Sequence, residues 1–344
     1  MFEAGVDLRR HGPRDAMGAL NAACAWLRNQ VGDSGAIAGS DQAALYYKMP
    51  ASLALGGAWE TALRCLDWIG AHMVDKARRL AIPADQEARR RMNTYDRGWL
   101  AWGAQMCGRY DIAFGIADDL LRHQDPETGA FWDTAAALSS RQGIQHAMTT
   151  GMAGLGLLAT RHTDAARAAA DSLIRLLDMQ PDPGSGMYLA MAREAQGTPR
   201  LLLERTSLDF VDRAGLKQRP ARLGPAQVLL VRLFCLTDDP AYLAAARSYC
   251  DLFLTGRDGI FDCVESHKFL WGLTEIHRVD PDPRYRTAAD RIAAYLIARQ
   301  QEDGQFLGDA VSGSAEQPLE LRLNTTCNAV AGLAHYRNEV EDLA

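Results

Sequence analysis

The chain has 344 residues, of which 48% are apolar and 23% charged, so it can form a large core and is not a disordered polypeptide. Its formal net charge is −6, which argues against a basic surface for nucleic acid or for an anionic membrane. Apolar runs long enough to span a bilayer are absent, and the acidic start at residues 1–7 is unlike a signal peptide, so we expect a cytoplasmic protein whose partner is a small-molecule substrate.

Helical apolar spacing recurs along the chain, and a short polar motif follows each helical segment. The motif consists of a Gln, several polar residues, a Gly, any residue, and then an apolar or aromatic residue. Copies occur at 30–37, 124–132, 180–188, 257–261 (without the Gln) and 301–306. Repetition of this kind predicts an architecture built from helical repeats.

Between copies of the motif, the pattern predicts two helices joined by a short turn. The unpaired first and last helices, 14–28 and 324–337, can pair with each other and close a ring. We therefore predict an all-α (α/α)6 toroid that forms a single domain over residues 1–344. Its inner helices are expected near 41–55, 93–107, 142–159, 223–236, 266–278 and 324–337. An open helical-repeat solenoid is the alternative.

One stretch breaks the helical pattern. Gly197-Thr198-Pro199 between two apolar runs predicts a small β-hairpin at 186–206, inserted before an inner helix. A loop at 207–222 would complete this insertion. Because long loops in compact domains often bind ligands or act as lids, Glu204 and Asp209 are candidates to reach over the ring.

The cysteines and the common cofactor motifs give little sign of a metal or a cofactor. The seven cysteines are odd in number and widely spaced, which is typical of reduced, buried thiols. Segment 262–267 contains Asp, Cys, Glu and His, but no second cluster supplies the rest of a zinc site. The P-loop, GxGxxG, HExxH and GxSxG motifs do not occur. We expect neither a metal nor a cofactor.

The QxxDGxF-like motif and the paired helices resemble the α/α-toroid superfamily, which includes six-hairpin glycosidases, N-acylglucosamine 2-epimerases and terpenoid-cyclase-like proteins. The resemblance covers nearly the whole chain. It implies an active site in the central cavity, at the end of the ring where the inner helices begin, and we call this end the mouth. The DxDD and DDxxD motifs of terpenoid cyclases are absent, as is the Cys-His-Gly zinc signature of lanthionine-forming toroids.

Polar side chains gather at the predicted starts of the inner helices, where the rest of each helix is apolar. Helix capping explains the Asp and Asn residues among them. It does not explain Lys48, His146 or the adjacent His267 and Lys268, because cations are disfavoured near a helix N-terminus. These residues therefore indicate a functional site at the mouth.

We predict three catalytic residues there: His146 and His267 as acid–base groups, and Asp96 as their carboxylate partner. The predicted substrate-binding residues are Tyr47, Lys48, Arg97, Trp99, Glu265, Lys268, Trp271 and Asn324. Structural alternatives stay open for the main candidates, namely a satisfied core histidine, a surface lysine or an internal ion pair.

The residues favour a metal-independent enzyme that uses histidine and carboxylate acid–base chemistry on a small or medium, anionic or sugar-like molecule. It would be a hydrolase, lyase or isomerase, and its link to sugars is implied by the resemblance alone. A second hypothesis is a cyclase of a polyene or another specialised metabolite, whose aromatic walls stabilise cations. A third is a non-catalytic binding or scaffold protein, which predicts that the mouth residues form salt bridges with one another.

Overall fold

The computed structural model describes residues 13–38, 40–83, 86, 93–194, 197–206, 209–216, 218, 222–309 and 317–342. Six helices are inner helices: α2 (Met49–Leu55), α4 (Asn93–Met106), α7 (Ala147–Ala159), α9 (Gly224–Thr237), α11 (His267–Val279) and α13 (Leu319–Asp342). Six are outer helices: α1 (Pro13–Asn29), α3 (Trp59–His72), α5 (Tyr110–His123), α8 (Thr163–Asp178), α10 (Pro240–Leu254) and α12 (Pro283–Arg299). A short helix, α6 (Ala135–Ser140), precedes α7. The acidic start at residues 1–7 and part of the loop at 207–222 lie outside the described residues.

The inner helices contact one another in a closed cycle. Helix α2 packs against α4, α4 against α7, and the order continues through α9, α11 and α13, which returns to α2. Each inner helix also packs against an outer helix, and α1 near the start of the chain packs against α13 near its end. The predicted (α/α)6 toroid is therefore confirmed, and the open solenoid is excluded.

The Gln and Gly of the repeated motif build the turns that end the outer helices. Gly129 has a φ of +77°, and a Cβ atom there would lie 2.1 Å from the carbonyl oxygen of Ala168. Only glycine fits such a left-handed and crowded position. Gln124 Nε2 donates to the carbonyls of Gly129 and Ala165, both at 2.8 Å, and Gln300 makes an equivalent pair of bonds at the last turn. At these two turns, a glutamine thus ties the end of one outer helix to the next outer helix.

The insertion forms two small antiparallel sheets. Their strands are β1 (Gly143–His146), β2 (Gly186–Tyr188), β3 (Ala190–Arg193), β4 (Arg200–Leu201) and β5 (Phe210–Asp212). One sheet has the order β1-β3-β4 and the other pairs β2 with β5. The predicted hairpin at 186–206 is present as β3 and β4, but the insertion also recruits β1. The inner helix predicted at 142–159 therefore starts only at Ala147, because residues 143–146 pair with β3.

The first inner helix, α2, is shorter than predicted, and the last, α13, is longer. Segment 41–55 contains a 3-10 turn, Ala43–Leu45, and then α2, which has Pro50 in its first turn. Proline lacks an N–H group and fits the first turn of a helix but not its interior. Lys48 is consequently the N-cap residue of α2 and lies at the mouth. Among the described helices, none is both long and apolar enough to cross a bilayer.

Candidate functional site at the mouth of the ring

Aromatic side chains fill the centre of the ring below the mouth. Tyr95, Trp99 and Trp102 share one face of α4, at positions i, i+4 and i+7. Trp271 of α11 meets them from the opposite side of the ring, with its ring centroid 5.9 Å from that of Trp99 and 5.0 Å from that of Trp102. We call these four residues the aromatic column. Because α4 and α11 are opposite members of the cycle, the column crosses the centre of the ring.

Lys48 covers the mouth side of the aromatic column. Its Nζ lies 4.9 Å, 5.2 Å and 5.5 Å from the ring centroids of Tyr47, Tyr95 and Trp99, within the range of cation–π attraction. The same amine donates to Asn324 Oδ1, which also accepts a 3.0 Å hydrogen bond from the Tyr47 hydroxyl. Four residues predicted to bind substrate, on α2, α4 and α13 or beside them, are thus in mutual contact.

Lys268, on α11, approaches Tyr95 from the opposite side of the toroid. Its Nζ donates to the Tyr95 hydroxyl at 3.3 Å and lies 5.5 Å from the centroid of that ring. Burial holds the pKa of Lys268 well below its usual range, the positive charges of Lys48 and Arg222 lower it further, and Glu265 opposes them. The mouth therefore concentrates positive charge around one amine.

His267 precedes this lysine and is also buried. Burial, followed by the charges of Lys268 and Lys48, holds the pKa of His267 well below its ordinary value, so the imidazole is neutral at pH 7. Within the described residues, its Nδ1 has no hydrogen-bond partner. Glu265 is half-buried, and a Cβ atom on Gly308 would lie 3.2 Å from its Oε1, which places this carboxyl between α11 and the segment before α13.

The inserted sheets bring His146 and Asp209 together. The Ala147 N–H donates to the Leu189 carbonyl and the Leu189 N–H donates to the Asp209 carbonyl, both at 2.8 Å. This connection leaves His146 Nε2 4.0 Å from Asp209 Oδ1. His146 Nδ1 accepts the Met148 N–H at 3.3 Å, so the neutral imidazole carries its proton on Nε2, facing the carboxylate.

Asp133 is an acid–base group that was not predicted. Its side chain is buried, and burial raises its pKa to about 8; the nearby Thr149 hydroxyl opposes the shift, and the negative charge of Asp209 adds to it. The carboxyl is therefore mostly protonated at pH 7. Its signal in the sequence is its position directly after Trp132, at the end of a motif copy. Such turns connect an outer helix to the next inner helix, and therefore lie at the mouth.

Arg97, which the sequence predicts to bind substrate, pairs with Asp119 on α5. Its Nε lies 2.8 Å from Asp119 Oδ2, and both side chains are 6% exposed. The guanidinium also donates to the Asn93 carbonyl at 3.1 Å. These contacts form a buried ion pair between α4 and α5, because Arg97 lies on the face of α4 that packs against the outer helix. Asp96, the preceding residue, is buried in the first turn of α4.

Trp271 lies deeper than predicted. It stacks between Trp102 and His335, with ring centroids 5.0 Å apart on each side, and its Nε1 donates to Glu275 Oε1 at 3.2 Å. Burial raises the pKa of Glu275, but Arg232, 2.8 Å away, and His335 bring it down to about 2. This polar cluster lies toward the end of the ring opposite the mouth. Trp271 is thus part of the floor below the mouth rather than its wall.

In the part of the chain that the structure describes, no group of three His, Cys, Asp or Glu residues could hold a metal ion. Segment 262–267 illustrates why. Asp262 Oδ2 lies 2.8 Å from Arg291 Nη2, whereas Cys263 Sγ donates to the Gln218 carbonyl at 2.9 Å. Its potential ligands are directed to different partners.

Known α/α toroids share this fold. A D-mannose isomerase superposes with a TM-score of 0.69 at 10% identity, covering 99% of this chain and 100% of that chain. The GH76A α-1,6-mannanase from Salegentibacter sp. HEL1_6 gives 0.66 at 11% identity, over 94% and 99% of the two chains. A variant of the type II terpene cyclase MstE from Scytonema, with its substrate geranylgeranyl dihydroxybenzoate, gives 0.58 at 12% identity, over 95% and 99%. No family model and no curated protein sequence matches the chain. The predicted resemblance to the α/α-toroid superfamily is confirmed at the level of the fold.

Proposed function

We propose that the protein is an enzyme that transfers protons on a small anionic, sugar-like molecule bound at the mouth, as a hydrolase, lyase or isomerase. The observation that carries this proposal is the pairing of His146 with Asp209. Two residues distant in the chain are held with Nε2 and Oδ1 4.0 Å apart by backbone hydrogen bonds, beside a carboxyl of Asp133 with a raised pKa.

The three groups divide the acid–base work. His146 takes or gives a proton at Nε2, and Asp209 stabilises the imidazolium that forms. Asp133, protonated near neutral pH, donates a proton where negative charge develops. His267 has a neutral imidazole and is a second candidate base, in keeping with its predicted role. Hydrolysis, elimination and isomerisation each require a proton donor and a proton acceptor at the same pH, and this site offers both near pH 7.

The anionic part of the substrate would face Lys48 and Arg222, with Lys268 beside them. All three are buried at the mouth, where an ion pair with a ligand is stronger than in water. A phosphate or carboxylate there would offset the repulsion between these cations. Tyr47 and Asn324, which contact Lys48, would bind neutral hydroxyl groups.

The structural neighbours support an enzymatic role and a sugar-like substrate. They are named as an isomerase of D-mannose, an α-1,6-mannanase and a terpene cyclase. Because their identity to this chain is 12% or less, they are similar to it in fold, and the reaction is argued from the residues of the mouth.

The aromatic column is the observation that favours the cyclase alternative. Its ring faces, however, are already covered by the protein's own cations. Lys48 lies over Tyr95 and Trp99, and Arg232 lies 5.7 Å and 5.6 Å from the ring centroids of Trp102 and Trp271. A carbocation at these faces would be repelled by both side chains, which counts against a cyclase.

The scaffold alternative predicts that the mouth charges neutralise one another. Lys268 argues against it, since in the described chain no carboxylate lies within 4 Å of its amine and its hydrogen bond is to the Tyr95 hydroxyl. A buried lysine without a counter-ion destabilises the folded protein, so a purely structural role does not explain it. Such groups are found at binding and catalytic sites.

The test is proton exchange in D2O. Ligands among aldoses, uronic acids and sugar phosphates are first selected by thermal shift, and NMR then follows deuterium incorporation or product formation. We expect His146→Asn and Asp209→Asn to slow turnover by about 10²–10⁴-fold, the usual contribution of a general acid–base group.

The matched control is His72→Asn, an exposed histidine at the end of α3, which should keep the wild-type rate. Circular dichroism checks the fold of each variant. Wild-type turnover in His146→Asn, Asp209→Asn and Asp133→Asn alike would show that the acid–base assignment is wrong.

A further inference from the structure

Lys268 lies where a positive charge is least favourable. It is the second residue of α11, a helix of 13 residues, so the positive end of the helix dipole acts on it. Its amine and that of Lys48 lie 5.5 Å and 5.2 Å from the centroid of the same Tyr95 ring, and the charge of Lys48 acts on Lys268. Arg222 adds a third cation to its surroundings.

Among the surroundings of Lys268, Glu265 opposes this repulsion but does not cancel it. The side chain is 7% exposed, and across the described chain no carboxylate lies within 4 Å of its Nζ. Its hydrogen-bond partner is the hydroxyl of Tyr95, 3.3 Å away. A desolvated amine next to other cations loses its proton more readily than a surface lysine, and the neutral amine is a nucleophile.

We propose that Lys268 is a nucleophilic lysine that forms an imine with an aldehyde or ketone group of the substrate. This inference rests on the proposed function, because it takes the substrate to bind at the same mouth. It adds that the substrate carries a free carbonyl group, as an open-chain sugar does.

The step balances without an oxidant or a reductant. The lone pair of Nζ attacks the carbonyl carbon, a C–N bond forms, and a proton moves from nitrogen to the former carbonyl oxygen through the Tyr95 hydroxyl. The carbinolamine then loses its hydroxyl group, which takes up one proton and leaves as water. The product is a protonated imine, whose positive charge acidifies the neighbouring C–H bond. His146, with Asp209, supplies the base that such a C–H bond requires.

The experiment traps the imine in the full-length protein with glyoxylate, a small aldehyde that carries a carboxylate, and sodium cyanoborohydride at pH 7. Peptide mapping by mass spectrometry locates the reduced adduct. The reference within the same molecule is Lys76, an exposed lysine in the loop after α3. We expect Lys268 to react at least about tenfold faster than Lys76, since each unit by which its pKa is lowered multiplies the neutral fraction by about ten.

Lys48→Met provides a readout that a merely accessible lysine would not change. Removing this neighbouring charge raises the pKa of the Lys268 amine, so the pH profile of labelling should move to higher pH by about one unit. Lys268→Arg should lose the adduct at this position. If Lys268→Arg does not fold, the proposal is tested by comparing the pH profiles of labelling at Lys268 in wild type and in Lys48→Met.

The inference is overturned if Lys268 labels no faster than Lys76, or if Lys48→Met leaves the pH profile unchanged. Its failure is distinct from failure of the proposed function. His146→Asn should slow turnover by about 10²–10⁴-fold but leave the trapping of glyoxylate intact. If turnover falls in His146→Asn but the wild-type protein traps no glyoxylate at Lys268, the acid–base assignment stands. Only the proposed imine is then wrong.

Discussion

Asp133 links the stability of the protein to pH. Its pKa is about 8 in the folded chain and 3.8 in the reference state. Below pH 4 both states hold the proton, and above pH 8 both are ionised. Between these values the unfolded chain ionises and the folded chain does not, so this group lowers the free energy of unfolding by about 1.4 kcal/mol for each pH unit.

Asp133→Asn should remove that loss. We expect the free energy of unfolding of the variant, relative to wild type, to rise steadily from pH 5 to pH 8 in urea titrations. Asp118→Asn, an exposed carboxyl on α5, is the control and should follow the wild-type curve. Parallel curves for Asp133→Asn and wild type would mean that the carboxyl is not held protonated.

The Arg97–Asp119 pair gives a second prediction at the residue scale. Arg97→Met should lower the free energy of unfolding by about 3 kcal/mol, because it leaves the Asp119 carboxylate buried without its main partner. Arg64→Met breaks an exposed pair with Glu60 and should cost less than about 1 kcal/mol. The KM of Arg97→Met should equal that of wild type. A raised KM with unchanged stability would instead support the substrate-binding role predicted from the sequence.

Residue type was easier to predict at the mouth than side-chain direction. Lys48, His146 and Lys268 stood out because cations at helix starts oppose the helix dipole. The direction of the Arg97 side chain does not follow from the sequence, because residues 93–104 of α4 are all buried and no polar face reveals which way each side chain points. Asp133 lies in a connecting turn, where a polar residue is ordinary and does not by itself mark a site.

At the scale of elements, helices followed from periodicity and short strands did not. The apolar spacing that predicts a helix is local, and the six inner helices and α1 fall near their expected positions. Strand β1 pairs with β3, about 47 residues away, and four residues carry no periodic signal that separates them from the helix that follows. The proximity of His146 and Asp209 depends on that strand. Both residues were candidates in the sequence, but their contact could not be predicted from it.

Gly98 tests how closely the inner helices approach each other. A Cβ atom at this position of α4 would lie 2.5 Å from the backbone oxygen of Met152 on α7. Gly98→Ala should therefore destabilise the protein by about 1–3 kcal/mol, through displacement of one inner helix from the next. Gly18→Ala is the matched control on α1, where a Cβ meets nothing within 4 Å. It should stabilise by up to about 1 kcal/mol through helix propensity. Similar effects for both variants in urea unfolding would argue against close packing of α4 on α7.

At the scale of the whole molecule, ring closure couples the two ends of the chain. In an open solenoid each unit contacts only its neighbours, so loss of a terminal unit leaves the others folded. Here α13 contacts α1, α2 and α11 together, and Arg337 Nη1 lies 3.5 Å from Met17 Sδ. Removing α1 would expose the outward side of α13, which would keep its contacts with α2 and α11 but lose its outer partner.

We propose that residues 1–344 form one cooperative domain, with 186–222 as an insertion, and a pair of variants tests it. Deletion of residues 1–30 should abolish the single sharp unfolding transition in urea, because the last inner helix loses its outer partner. A circular permutant with joined ends, opened at Gly57, keeps every helix contact, since Gly57 is exposed in the turn between α2 and α3. It should unfold in one transition close to the wild-type midpoint. If instead the deleted chain unfolds in one transition within about 1 kcal/mol of the full chain, closure contributes little and the hairpins are held by their neighbours alone.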